Sequence, residues 1–187
     1  YGLRSDAGYM NLADAQVSMM FMDAKGLELY KMELAKGRLP EQKDEIVVSE
    51  GILNELGQQG EIGDTVTVPY QIYRGGELDL TETKEFRICG FFEDSPGNLE
   101  NRNYTSLVSE EFLKDEVPKE DIAYRFLLQI NDTDKATTDN IEKRIKDIGG
   151  QFGISENETN INTEYLAANY VDPVTIPVVI AIMAIVM

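Results

Sequence analysis

The sequence predicts an α+β fold, and three observations support this class. Short β-strand patterns alternate with short amphipathic helices towards both ends of the chain, a β-rich block lies between them, and turn residues separate the segments. This order favours an α/β lobe that is interrupted by an inserted β-rich lobe. The 187 residues are enough for one or two domains with a substantial core.

Two β-α units open the chain. The apolar run Val17–Met22 predicts a buried strand, and Asp23 is a suitable N-cap for a helix over "AKGLELYKM". Ile46–Val48 predicts a second short strand, Ser49 caps the next helix, and Gly57 ends it.

The β-rich block covers "IGDTVTVPYQIYRGGELDLTETKEFRICGFFED". Apolar residues alternate at Val66, Val68 and Tyr70, which is typical of a strand with one buried face. The sequence "RGGE" predicts a turn between two strands. The polar arms on either side of this turn predict a hairpin that projects from the core.

The C-terminal part returns to alternating strands and helices. "YTSLVS" and "IAYRFLLQI" predict strands, while "EEFLKD", after the cap Ser109, and "DKATTDNIEKRIKDIGG" predict helices. "NETNINT" predicts a polar loop, and "EYLAANYVD" predicts a helix that could run into the apolar tail.

The charge excludes two classes of partner. There are 34 Asp and Glu against 17 Lys and Arg, which gives a net charge of −17. Nucleic-acid phosphates and anionic lipid headgroups would both be repelled by such a surface.

We find no credible catalytic set in the sequence. The chain lacks His, which is the usual general base and the commonest metal ligand. The acidic stretch after Asp132 fails the calcium-loop pattern because Thr137 stands where Gly is needed. The single Cys89 lies between apolar neighbours and is expected to be buried and inert. We therefore predict no catalytic, cofactor-binding or metal-binding residues, no cofactor and no enzymatic activity.

The tail "VDPVTIPVVIAIMAIVM" contrasts with this acidic chain. From Val174 to Met187 it carries no charge, and Thr175 is its only polar side chain. Three interpretations are possible: a buried terminal helix, an interfacial or lipid anchor, or the first part of a transmembrane helix. A span needs about 20 apolar residues, and the pattern favours the beginning of such a span, with a helix from about Pro173 that projects from the domain.

One ordered set of motifs resembles a known family. "KGRLPEQKDEIVVSEGILNELG", "GEIGDTVTV" and "KEFRICGFFED" follow one another between Lys36 and Asp94. In this order they are similar to the extracytoplasmic core domain of MacB/FtsX-type ABC transporter permeases, whose pattern runs G-R-x-P, E-I-V-V-S, L-G, I-G-D-x-V-x-V and F-x-I-x-G.

The resemblance implies an architecture and a set of partners. Residues 1–36 and 104–170 would form a porter-like α/β lobe, 37–103 an inserted β-rich lobe, and 171–187 the start of the second transmembrane helix. The domain would be non-catalytic and would lie on the extracytoplasmic face of a cell membrane. The organism would be bacterial, with a Gram-positive envelope preferred.

Its partners would be a separate cytoplasmic ATPase, reached through the rest of the permease, the membrane through residues 174–187, a second permease copy, and an extracytoplasmic protein or peptide. Family members export peptides, macrolides or lipoproteins, or activate cell-wall hydrolases. The alternative is a free-standing secreted or anchored binding module with a packed C-terminal helix.

Overall fold

The computed structural model describes residues 1–130, 138–151, 153, 159–161 and 178–185. Within these ranges the chain is mixed α+β and rich in strands, as the sequence predicts. The strands are β1 Gly2–Met10, β2 Gln16–Met22, β3 Leu34–Gly37, β4 Glu45–Val48, β5 Thr65–Arg74, β6 Glu77–Phe92, β7 Asn103–Val108, β8 Ala123–Ile130, β9 Thr159–Ile161 and β10 Val178–Ile185. The helices are α1 Ala24–Leu29, α2 Glu50–Glu55, α3 Pro96–Asn101, α4 Glu110–Glu116 and α5 Thr138–Gln151.

Six strands close into a ring in the order β1-β2-β7-β4-β6-β5 and back to β1. Strand β1 makes this closure possible because its two edges pair with different strands. One edge pairs with β2 over Arg4–Met10, while the other pairs with β8 over Gly2–Ser5 and with β5 over Gly8–Met10. Strands β8, β10 and β9 therefore branch from the ring as a side sheet. The strands predicted at 17–22 and 122–130 lie in the same sheet, joined through β1.

The interior of the ring is the main hydrophobic core. Three aromatic rings pack at its centre: the ring centroids of Tyr70 and Phe112 are 5.6 Å apart, and those of Phe86 and Phe112 are 5.5 Å apart. All three side chains are almost fully buried. Because packed aromatic residues bury a large apolar area, this trio anchors α4 on the strands β5 and β6.

A smaller core lies on the outer face of the ring, under α1 and the segment that follows it. Its buried members come from five different elements and are Met20, Met22, Leu27, Val47, Cys89 and Leu107. Strands β2, β7, β4 and β6 thus carry apolar side chains on both faces. This explains why β2 and β4 contain the uninterrupted apolar runs Met19–Met22 and Ile46–Val48.

The predicted helix caps are confirmed. The Asp23 carboxylate accepts from the Gly26 backbone N–H at 2.6 Å, and Ser49 and Ser109 begin α2 and α4 in the same way. Both serines are buried. Their hydroxyl oxygens satisfy backbone donors at the helix N-termini, which is a structural role.

The β5–β6 hairpin forms as predicted, but its turn does not project freely. Gly75 and Gly76, which we call the hairpin tip, have φ values of 62° and 80°. Their N–H groups donate to the two carboxylate oxygens of Asp121 at 2.7 and 3.0 Å. Consecutive N–H groups in such a turn form a cradle for an anion, and here the anion is a side chain from the segment before β8.

The predicted C-terminal helix is wrong over the described residues 178–185, which form β10. This strand runs antiparallel to the whole of β8. Val and Ile stiffen the chain in the extended conformation, and a short apolar run can serve as a strand or as a helix. Residues Thr159–Ile161, predicted as loop, pair with β10 as β9. The helix predicted over 164–172 lies outside the described residues.

No helix in the described ranges has the length and apolar composition needed to cross a bilayer.

Candidate functional site

The motifs that carry the family resemblance meet around one buried carboxylate, that of Glu45. Its side chain is 0% exposed. Arg38 donates to it through both terminal nitrogens, at 2.8 and 2.6 Å, and Arg87 Nη2 donates at 2.5 Å. The backbone N–H groups of Glu41 and Gln42 donate at 3.0 and 3.2 Å. We call these five donors and their acceptor the Glu45 clamp.

Strand pairing places the members of this clamp. Glu45 is the first residue of β4 and stands opposite Arg87 of β6 in the parallel register. Arg38 follows the end of β3, whose last residue Gly37 stands opposite Gly90 of β6. The clamp therefore joins two strands that flank β6 on its two sides.

Two glycines allow the chain segments to approach this closely. Gly37 has φ +88°, and a Cβ there would lie 2.3 Å from the carbonyl oxygen of Cys89. A Cβ on Gly90 would lie 2.7 Å from the carbonyl oxygen of Arg38. Only glycine fits at such positions, so the glycines of "KGR" and "CGF" are needed for the strand crossing.

The "GEIGD" motif completes the same region. The Gly63 N–H donates to the Ile88 carbonyl at 2.8 Å, and the Ile88 N–H donates to the Asp64 carbonyl at 2.9 Å. The Asp64 side chain accepts from the Glu61 N–H at 2.8 Å, which holds the turn that the sequence predicts. A cavity of about 380 Å³ lies between this turn and the Glu45 clamp.

The chemistry of the clamp is structural. The hydrogen bonds from Arg38, with further backbone donors, lower the pKa of Glu45 from 4.5 to about 2. A carboxylate that is ionised at neutral pH and already accepts five hydrogen bonds is a poor general base. Burial, followed by the nearby Glu45 charge, raises the pKa of Cys89 to about 11, which disfavours the reactive thiolate.

A second cleft, of about 260 Å³, lies between the end of β6, α3 and β7. The Asp94 carboxylate at its wall accepts from the Gly51 N–H at 2.7 Å. Ser49, also in the wall, uses its hydroxyl oxygen to accept from the Ile52 N–H at 3.2 Å. Both groups thus accept hydrogen bonds from backbone N–H groups at the N-terminus of α2.

No catalytic or metal-binding residue was predicted, so the structure has no such set to bring together. The rejected calcium stretch begins at Asp132, which lies outside the described residues. In the described part of the chain, no group of three or more Asp, Glu or Cys side chains is placed to hold a metal ion.

Sequence reasoning missed the Glu45 clamp and the role of Asp121. The signal for the clamp was present, because Arg38 and Glu45 flank the turn "LPEQKD" that brings them together. Asp121 has no such signal, since its partners lie 45 and 46 residues away.

Comparison with known proteins gives structural similarities without sequence relatives. No family model matches the chain, and no curated protein matches it. One similar structure is the periplasmic region of MacB from Actinobacillus actinomycetemcomitans, at 11% identity and a TM-score of 0.47, over 82% of this chain and 68% of that one. Another is a domain of a protein assigned as a permease from Porphyromonas gingivalis, at 13% identity and a TM-score of 0.42, over 100% of this chain and 72% of that one.

Proposed function

We propose that this chain is an extracytoplasmic domain of an ABC transporter permease subunit. The observation that carries the proposal is the convergence of the resembling motifs. "KGRLP", "DEIVVS", "GEIGD" and "EFRICGF" lie apart in the sequence, yet each contributes a residue with a defined role around the Glu45 clamp. Arg38 and Arg87 bond to Glu45, and the Gly63 N–H of the third motif donates to the Ile88 carbonyl next to Arg87, so the four motifs meet at one stretch of β6.

In this proposal the domain has no catalytic role. It transmits movement that a separate cytoplasmic ATPase drives through the rest of the permease, towards export or towards activation of an extracytoplasmic partner. Residues 174–187 enter the membrane, and the permease acts as a dimer. The division into lobes of residues 1–36 with 104–170, and of 37–103, belongs to the same proposal. The preference for a Gram-positive envelope has no support in the comparisons and is not part of it.

The location of the domain can be tested by cysteine labelling of intact cells that express the complete protein. Cys89 is buried, so this domain should contribute little background labelling. A cysteine introduced at the half-exposed Leu99 should increase labelling by a membrane-impermeant maleimide added from outside, compared with the same complete protein without the substitution. Labelling of Leu99→Cys only after lysis would refute an extracytoplasmic position.

Coupling to the ATPase needs its own measurement. The complete permease should copurify with its ATPase and stimulate ATP hydrolysis, and substitutions in this domain should alter that stimulation without preventing copurification. A permease that neither binds an ATPase nor changes its rate would contradict the proposal.

A second candidate is a free-standing secreted or anchored binding module, and one observation favours it. Residues 178–185 pair along the full length of β8, so they belong to the sheet of the domain. The discriminating measurement is amide hydrogen exchange of 178–185 in phospholipid vesicles. If the amides of 178–185 stay protected although these residues do not contact the lipid, the binding module is favoured.

A further inference from the structure

The cavity beside the Glu45 clamp combines guanidinium groups with apolar surface. Its volume of about 380 Å³ lies at the lower end of the range for ligand sites, which is about 300–1,000 Å³. Two arginines and three apolar residues line it, and these are Arg38, Arg87, Ile62, Ile88 and Cys89. The Ile62 residue is 47% exposed, so the cavity opens to solvent at the turn before β5. A small group that enters here meets a cation and apolar surface together.

The guanidinium of Arg87 has donors to spare. Arg38 makes three hydrogen bonds, two to Glu45 and one to the Leu39 carbonyl at 2.9 Å. Arg87 has five N–H donors, and among the residues that the structure describes only one donor, on Nη2, has a partner, which is Glu45. The side chain of Arg87 is 50% exposed. The remaining four donors can therefore bond to a ligand while the Glu45 clamp stays intact.

The clamp also holds this guanidinium in place before a ligand arrives. Glu45 is fully buried and is fixed by Arg38 and by two backbone N–H groups, so its carboxylate anchors Arg87 at 2.5 Å. An arginine that is already fixed loses less side-chain entropy on binding, and its planar fork matches the two oxygens of a carboxylate. The geometry therefore favours a carboxylate as the ligand group.

The charges around the cavity favour a single carboxylate over a multiply charged anion. In the lining, two guanidinium groups face one buried carboxylate, which leaves one net positive charge. The whole chain carries −17, and the acidic residues Glu61 and Asp64 flank Ile62 and Gly63 in the sequence. These charges repel a phosphate dianion more strongly than a monoanion. Direct hydrogen bonds and apolar contact then supply the affinity, so the ligand is a monoanion with an apolar part.

We propose that this cavity binds the C-terminal residue of a partner polypeptide. The α-carboxylate accepts from Arg87, and an apolar last side chain packs against Ile62. In a C-terminal residue both groups extend from the same Cα, so they enter a small recess together, whereas an internal Asp or Glu would carry the chain past on both sides. The inference does not depend on the proposed function, because residues 37–89 alone form the site.

The test measures peptide binding to the full chain by NMR, from the shifts of the Gly63 backbone amide and the Arg87 Nε–H. The probe is acetyl-Gly-Gly-Leu with a free carboxylate. The same peptide with a C-terminal amide lacks the charge, and acetate and inorganic phosphate lack the apolar part. The free-acid peptide should shift both resonances, and the other three probes should each bind on the order of tenfold more weakly or less. Equal affinity for any of the three would overturn the proposal.

Substitution of Arg87 assigns the binding to this cavity. Arg87→Gln should lower the affinity for the free-acid peptide on the order of tenfold or more, and Arg87→Lys should recover only part of it, because an ammonium group lacks the planar fork. The matched control Arg102→Gln removes an equal charge from an exposed ion pair with Glu55 and should leave the affinity unchanged. Equal losses in Arg87→Gln and Arg102→Gln would show that net charge alone is responsible, and would overturn the proposal.

Ile62→Glu covers the case in which an Arg87 variant does not fold. Ile62 is exposed, so this substitution leaves the core intact, and the new carboxylate would repel the ligand and compete for Arg87. The affinity for the free-acid peptide should fall on the order of tenfold or more. Ile148→Glu, at another exposed isoleucine, is the control and should not change it. An unchanged affinity in Ile62→Glu would place the peptide elsewhere and overturn the proposal.

Discussion

Glu45→Gln is the substitution that tests most directly what holds the strand crossing together. The amide would keep one acceptor oxygen and place an NH₂ group against the donors of Arg38 or Arg87. Breaking a buried ion pair from one side costs about 3–5 kcal/mol. Because both arginines are about half exposed, at 48% and 50%, water can solvate them, and we expect a loss of about 2–4 kcal/mol.

The stabilisation that Glu45 provides should depend on pH. The pKa of Glu45 is lowered on folding, from 4.5 to about 2, so its stabilisation is complete above 4.5 and is lost as pH falls towards 2. At about 1.4 kcal/mol per pKa unit, the full contribution is about 3 kcal/mol, of which about 2 kcal/mol is lost between pH 7 and pH 3. The stability difference between wild type and Glu45→Gln should shrink by that amount.

Urea unfolding followed by circular dichroism at pH 7 and pH 3 measures both quantities. At about 2–4 °C per kcal/mol, thermal unfolding at pH 7 should show a Tm lower by roughly 4–16 °C. Lys43→Gln is the matched control, since it breaks an exposed ion pair with Asp115 and should change stability by less than about 1 kcal/mol. A difference between wild type and Glu45→Gln that is the same at both pH values would refute the assignment of the ionised carboxylate as the stabilising group.

Three further predictions concern single positions. In urea titrations, Gly37→Ala should lower stability by more than about 3 kcal/mol or prevent folding, because a Cβ would lie 2.3 Å from a carbonyl oxygen. The control Gly97→Ala should be neutral or stabilising, because its Cβ meets nothing closer than 3.8 Å. Asp121→Ala should speed amide exchange at the hairpin tip with a stability loss of about 1 kcal/mol at most, and Glu120→Ala should leave that exchange unchanged. Cys89 should react with a bulky thiol reagent at pH 8 only after unfolding in urea, and fast labelling of the native protein would contradict its burial.

The elements that sequence predicts well are those whose causes are local. Asp23, Ser49 and Ser109 each stand before an apolar stripe at helical spacing, and the capping bond spans only three residues. The turn at Gly75 likewise needs two adjacent residues with positive φ, which two glycines supply.

The features that sequence did not predict have non-local causes. Strand β1 divides one edge between β5, which closes the ring, and β8, and the paired residues are at least 60 positions apart for β5 and more than a hundred apart for β8. Periodicity also could not decide the form of 178–185. An uninterrupted run of Val, Ile, Ala and Met suits a buried strand as well as an apolar helix, and the available edge of β8 selects the strand.

The division of β1 between three neighbours has a mechanical consequence. Arg4, Ser5 and Gly8 to Met10 are paired on both sides, so a pull along the axis of this strand loads their rows of hydrogen bonds together, in shear. A pull perpendicular to the strand would instead open the pairs one after another. The fold is therefore stiff along β1 and compliant across it, and a force arriving along β1 reaches the ring and the side sheet at the same time.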